Sequence, residues 1–120
     1  IVEFIREELP DVYAAADLVV GRAGAGTVAE LALVGKPSIL IPLPGAGGDE
    51  QARNARVLVN AGGAVMLLQE HASPDRLLEE CIAILDSPER RQQMSDAARS
   101  VAQPEAASSL ADIVLEMAAR

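Results

Sequence analysis

The segment from Asp17 to Val34 constrains this chain more than any other. A short apolar run, Asp17-Leu18-Val19-Val20, leads into Gly21-Arg22-Ala23-Gly24-Ala25-Gly26-Thr27-Val28-Ala29-Glu30, and an alanine- and leucine-rich helical pattern leads out. That order reads as strand, glycine turn, helix. Three glycines within six residues permit positive φ and let a bulky anion approach the main chain, while the first amides of the following helix have no intrahelical acceptor. The turn is therefore a candidate anion site. Gly24, Ala25 and Gly26 supply its backbone, and Thr27 and Glu30 place a hydroxyl and a carboxylate at its mouth.

The rest of the chain repeats this unit or packs around it. Ile1 to Ile5 reads as a short apolar segment, an edge strand or the exit from one. Leu9, Val12, Tyr13 and Ala16 recur at helical spacing, with Pro10 tolerated in a first turn. Asp17 to Gly21 reads as a buried strand. Thr27-x-x-Glu30 matches a capping box opening a helix to Val34, and Gly35-Lys36-Pro37 ends it with a C-cap glycine, a cation on the helix dipole and a proline stop. Ser38 to Pro42 is apolar enough for a strand covered on both faces of a parallel sheet. Pro44-Gly45-Ala46-Gly47-Gly48 forms a second glycine loop, and Asp49-Glu50-Gln51 opens a helix to about Ala61, closed by Gly62-Gly63. A third strand, Ala64 to Leu68, follows. Ser73-Pro74 and Ser87-Pro88 start two more helices. The first of these carries Leu77, Leu78, Cys81, Ile82 and Leu85 as one buried face, and a last helix, about 106–118, is expected to bury Leu110, Ile113, Val114 and Met117. The fold class is α/β: one Rossmann-like parallel sheet with flanking helices, a single unit over residues 1–120 with a helical tail from about residue 73.

Composition removes several function classes. Only Phe4 and Tyr13 are aromatic, so bases have no stacking platform. Net charge is −8, with no cationic cluster denser than Arg90-Arg91, which argues against nucleic acid and against docking on anionic lipid. Cys81 is the single cysteine, expected as a core thiol, and no internal disulfide is possible. No apolar run approaches the roughly 20 residues of a membrane span, and no signal peptide is visible, so the compartment expected is cytoplasmic. The chain opens at Ile1 without a methionine, as expected for a processed product or for a piece cut from something longer.

Gly24-Ala25-Gly26-Thr27-Val28-Ala29 fits the dinucleotide fingerprint G-x-G-x-x-A, but the next strand ends in Pro42-Leu43-Pro44 where an acid should hold the adenosine ribose. His71, the single histidine, reads as a solvated loop residue. No serine sits in a nucleophile elbow, and no D-x-D pair is present for a metal-bound diphosphate, so no catalytic residue, metal ligand or cofactor is assigned. What remains is a binding surface of two glycine turns with Thr27, Glu30, Glu50, Gln51 and Asn54 at their helix mouths. Parallel strands place both turns on the carboxyl edge of the sheet, where open α/β sheets bind ligands.

Glu3-Phe4-Ile5, Tyr13-x-x-Ala16-Asp17-Leu18-Val19-Val20-x-Arg22-Ala23-Gly24-Ala25-x-Thr27-Val28-x-Glu30, Gly35-x-Pro37-x-x-x-Ile41-Pro42 and Gln51-x-x-Asn54-Ala55 together resemble the nucleotide-sugar domain of the MurG family. The resemblance is dense from Glu3 to about Ala64 and looser to Arg120. Those enzymes add N-acetylglucosamine to lipid-linked muramoyl pentapeptide, forming lipid II from lipid I. The resemblance implies a GT-B architecture of two Rossmann-like domains, with UDP-N-acetylglucosamine held mostly by the C-terminal one, to which this chain corresponds. It places uracil on the backbone near Ile5, the ribose hydroxyls on Glu30, the diphosphate and sugar on Ala25, Gly26 and Thr27, and the sugar hydroxyls on Gln51. Gly26 stands where the family often has a larger apolar residue, and Glu50 where glutamine or histidine is usual. The lipid-linked acceptor is implied to bind a missing N-terminal domain, with the full-length enzyme peripheral on the cytoplasmic face of the inner membrane and this chain inactive alone. A different class of function, a stand-alone nucleotide-sugar-binding subunit of a split transferase, fits the same residues, as does a scaffold module without ligand.

Overall fold

In a computed structural model, residues 1–45 and 49–103 and positions 115, 117 and 118 are described. Three parallel strands, β1 (Val19–Gly21), β2 (Ser38–Leu40) and β3 (Ala64–Met66), form a sheet in that order. Their register pairs Val19 with Ser38 and Ser38 with Ala64 at one end, Gly21 with Leu40 and Leu40 with Met66 at the other. Helix α1 (Leu9–Ala15) precedes β1, α2 (Ala25–Val34) joins β1 to β2, α3 (Glu50–Ala61) joins β2 to β3, and α4 (Pro74–Leu85) and α5 (Pro88–Ser100) follow.

Alternation along the buried central strand feeds two cores. Leu40 joins Val28, Leu31, Ala32, Ala55, Leu58 and Ala98 on one face, and Ile39 joins Leu67, Ile84 and Met94 on the other. Helix α5 thus contributes to both, Ala98 to the first and Met94 to the second. Its backbone lies so close to the α3–β3 link that a Cβ added at Gly63 would come within 2.9 Å of the Ala98 amide nitrogen and Cα. Ser38, fully buried in β2, has a hydroxyl with no partner among the described residues.

Local chemistry explains the helix ends. Ser73 Oγ accepts from the Arg76 amide and Ser87 Oγ from the Arg90 amide, each at 3.2 Å, so both expected serine caps are in place. Gly35 (φ 65°) and Gly62 (φ 96°) end α2 and α3 in the left-handed region, where glycine carries no Cβ penalty. Three cations lie on carbonyls at helix C-termini: Lys36 Nζ on Ala16 O (2.9 Å) after α1, Arg99 Nη2 on Val34 O (3.4 Å) of α2, and Arg91 Nη1 on Leu85 O of α4. Lys36 therefore serves α1 and not, as its position after Gly35 suggests, the end of α2.

Other expectations fail for identifiable reasons. Ile1 to Ile5 forms no strand and is exposed throughout, Ile5 at 39%. Strand β1 is an edge of the described sheet, which leaves Val20 43% exposed where a buried strand was expected. The capping box is absent, because α2 starts two residues earlier with Gly24 as N-cap and no side-chain cap, which puts Thr27 inside the first turn. Helix α4 buries Ile84 and packs Leu77 and Cys81 on the second core, but Leu78, Ile82 and Leu85 are 58%, 48% and 43% exposed. Cys81 is half-buried and free. Of the last expected helix, Met117 is helical but 69% exposed, not buried; Leu110, Ile113 and Val114 lie outside the described residues. No helix among the described residues is long and apolar enough to cross a membrane.

Candidate functional site

Gly21 and Leu40, paired at the carboxyl ends of β1 and β2, place the starts of the two turns side by side, and α3 ties them together; Ala46, Gly47 and Gly48 of the second turn lie outside the described residues. Gln51 Oε1 accepts from the backbone amides of Ala23 (3.1 Å) and Leu43 (2.9 Å), one in each turn. Asn54, one helical turn on, donates through Nδ2 to Ala23 O at 3.0 Å. The fully buried Ala23 thus has both its backbone groups satisfied by side chains of α3. Arg22 Nη1 reaches Ile41 O at 3.3 Å, and the Ile41 amide donates to Gly21 O at 2.8 Å. These bonds hold the first turn against the second. Sequence reasoning selected Gln51 and Asn54 as ligand grips and missed this bracing role. Because Gln51 Oε1 is occupied by two donors, the amide orientation is fixed, and Nε2 is the group without a partner among the described residues.

At the start of α2 the first intrahelical bond is Val28 N to Gly24 O, 3.0 Å. The amides of Ala25, Gly26 and Thr27 therefore have no intrahelical acceptor, no side chain caps them, and the first turn of α2 contains no acid. Ala25 and Gly26 are exposed and Thr27 half-buried. The glycines do not act as the sequence suggests. Gly21, Gly24 and Gly26 all avoid positive φ, and an added Cβ at any of them would meet nothing within 4 Å. Neither backbone conformation nor internal packing demands glycine here. What the missing side chains leave is open space above uncapped amides, in the field of a helix N-terminus.

Glu30 lies one turn further along α2, exposed, and accepts from Tyr13 Oη through Oε2 at 3.0 Å. Desolvation, with the Glu30 carboxylate beside it, raises the Tyr13 phenol above its ordinary value. The second helix mouth differs from the first. Asp49 precedes α3 at φ 59° and Glu50 is an exposed acid in its first turn, so the α3 N-terminus already has anionic neighbours. A depression of about 510 Å³, lined by Gly21, Arg22, Ile41, Gln69 and Ala72, opens beside the first turn, and Gln69 there is a residue the sequence did not single out. Ile5 stands apart: among the described residues no hydrogen bond ties it to either turn. His71 is exposed in a short 3-10 turn, and no group of three or more metal-ligating side chains occurs among the described residues.

Residues 1–113 match the family described as glycosyltransferase family 28 C-terminal domain. The chain is 50% identical over 111 residues to the UDP-N-acetylglucosamine--N-acetylmuramyl-(pentapeptide) pyrophosphoryl-undecaprenol N-acetylglucosamine transferase of Rhodopseudomonas palustris strain HaA2, covering 92% of this chain and 30% of that protein. The protein of the same description from Anaeromyxobacter sp. strain K is 47% identical over 118 residues, 98% of this chain and 30% of its own length. The crystal structure of Acinetobacter baumannii MurG superposes with a TM-score of 0.81 at 34% identity, covering 96% of this chain and 34% of that one. The chain thus spans about 30% of the length of the curated relatives it matches.

Proposed function

Since the chain belongs to the glycosyltransferase family 28 C-terminal domains, we propose that it is the donor-binding domain of an N-acetylglucosaminyltransferase that converts lipid I to lipid II, holding UDP-N-acetylglucosamine at the carboxyl edge of its sheet. The observation that carries the reading is the α2 N-terminus, with three uncapped amides, no acid in its first turn and open space over Gly21, Gly24 and Gly26. In this reading the amides of Ala25, Gly26 and Thr27 neutralise the donor diphosphate, acting with the helix dipole in place of a metal ion. Glu30 accepts from the ribose hydroxyls, Gln51 donates through Nε2 to a sugar hydroxyl, and the backbone near Ile5 meets uracil. Asn54 supports the turn from behind, and Glu50 lies at the start of α3 as a further donor contact.

Residues 1–120 form one nucleotide-sugar-binding domain with a helical tail from about residue 73. The acceptor site and the base that activates its hydroxyl belong to another domain, so the chain alone transfers no sugar, since transfer needs both substrates held in register. The working enzyme is peripheral on the cytoplasmic face of the inner membrane. The split-subunit alternative draws no support from relatives that are single, longer chains. Calorimetric titration of the chain with UDP and UDP-N-acetylglucosamine, with and without EDTA, tests the reading. Saturable binding indifferent to EDTA is expected. Absence of binding to either ligand would overturn the donor site, and loss of binding on chelation would overturn its helix-terminus chemistry.

A further inference from the structure

We propose that Tyr13 is a positioning residue for the Glu30 carboxylate and thereby sets how tightly the site holds a ribose diol, an inference that rests on the donor-binding reading above. Glu30 is exposed on α2, and a glutamate there samples many rotamers unless something holds it. Among the described residues its one hydrogen bond is from Tyr13 Oη to Oε2, 3.0 Å long and spanning 17 residues of sequence. The phenol is a fixed point. Its ring packs against the core cluster built by Val28, Leu31 and Leu58, and the end of α1 that carries it is tied to the entry of β2 by Lys36 Nζ on Ala16 O at 2.9 Å and on Ala14 O at 3.5 Å.

The bond leaves the acceptor capacity a diol needs. A carboxylate offers about four lone-pair sites, of which the phenol takes one. Oε1 stays whole and Oε2 keeps a second site, so two adjacent hydroxyls still find two acceptors. Ordering the carboxylate before the ligand arrives removes part of the entropy that binding would otherwise lose. Phenylalanine at position 13 would keep the ring packing and remove only the hydrogen bond.

The test is a set of calorimetric titrations of UDP and 2′-deoxy-UDP into the parent chain, Tyr13→Phe, Glu30→Ala and the double variant, with melting curves confirming that each is folded. Tyr13→Phe is expected to weaken UDP about 3- to 10-fold, the loss of one hydrogen bond's worth of organisation. It should weaken 2′-deoxy-UDP less, and it should add nothing once Glu30 is already alanine, which leaves the phenol no carboxylate to position. A purely structural role for Tyr13 would weaken both ligands equally and would persist in the Glu30→Ala background, and either result overturns the proposal. So does Tyr13→Phe binding UDP as tightly as the parent or more tightly, which would mean that the phenol only competes with the ligand. Failure of the parent to bind UDP refutes the donor-binding reading itself and this inference with it, whereas failure of the variant pattern alone leaves that reading standing.

Discussion

Replacing Gln51 by leucine tests the brace between the two turns. The substitution keeps roughly the same volume but removes the oxygen that accepts from Ala23 N at 3.1 Å and Leu43 N at 2.9 Å. The two amides differ in what happens next. Leu43 is 51% exposed, so water replaces its lost acceptor at little cost, whereas Ala23 is fully buried and its amide is left without a partner. An unsatisfied buried donor costs about 1–3 kcal/mol, and the apolar burial gained by leucine at a half-buried position offsets about 1 kcal/mol of that. The net loss expected is centred at about 1 kcal/mol, within a range of about 0–2 kcal/mol, which is roughly 4–8 °C in melting temperature at its centre for a domain near this size. Gln51→Glu is the matched control, because an ionised carboxylate accepts from both amides and should hold the melting temperature within about 3 °C of the parent. It lacks the Nε2 donor and brings a charge towards the proposed diphosphate site, so UDP-N-acetylglucosamine binding should fall. Thermal unfolding followed by circular dichroism reads the first effect and calorimetry the second. The brace is refuted if Gln51→Leu melts with the parent, or if Gln51→Glu loses as much stability as Gln51→Leu.

Three other outcomes follow from the geometry. Ser73→Ala and Ser87→Ala should each cost about 1 kcal/mol in chemical denaturation, adding in the double variant because the two caps serve different helices. Gly63→Ala drives a methyl into the α5 backbone at 2.9 Å, where no side chain can swing aside, and should cost about 1–3 kcal/mol or more, while Gly24→Ala, with open space around it, should cost little. The raised Tyr13 phenol makes the folded state hold its proton more tightly than the unfolded state does, so its contribution to stability is complete below about pH 10 and is lost as pH rises through the higher folded value. Denaturation midpoints measured across the alkaline range should therefore fall more steeply for the parent than for Tyr13→Phe.

Much of this architecture was legible because it rests on local chemistry. Ser73-Pro74 and Ser87-Pro88 cap and start helices with few alternatives, and Gly35 and Gly62 end them at the two positive-φ glycines described. Short apolar runs between such stops mark β2 and β3. The errors arise where tertiary placement chooses among equivalent local patterns. Helix α4 has enough apolar residues to offer two faces, and the neighbouring α5 selects the one with Leu77, Cys81 and Ile84, leaving Leu78, Ile82 and Leu85 outside. Thr27-x-x-Glu30 has capping-box spacing, but spacing does not say where helical backbone begins, and α2 had already begun at Ala25. At the site, the order strand-glycine-helix located the turn whose amides the structure leaves uncapped. The partners of Gln51 and Asn54 did not announce themselves, because an amide that braces a neighbouring turn and one that grips a sugar look identical in sequence.

Helix α5 has a consequence for how the protein is made. It places Met94 in one core and Ala98 in the other, and its Arg99 reaches Val34 across 65 residues of sequence. Chain emerging from a ribosome therefore presents the three described strands before the one helix that packs into both of these cores exists. Until α5 has cleared the exit tunnel, Ile84 and Leu58 lack partners they will later bury against, and the nascent chain exposes them as candidate chaperone-binding surface. The residues of the candidate site, from Gly21 to Asn54, precede α5 in the chain and so wait for a later element to complete the core beneath them.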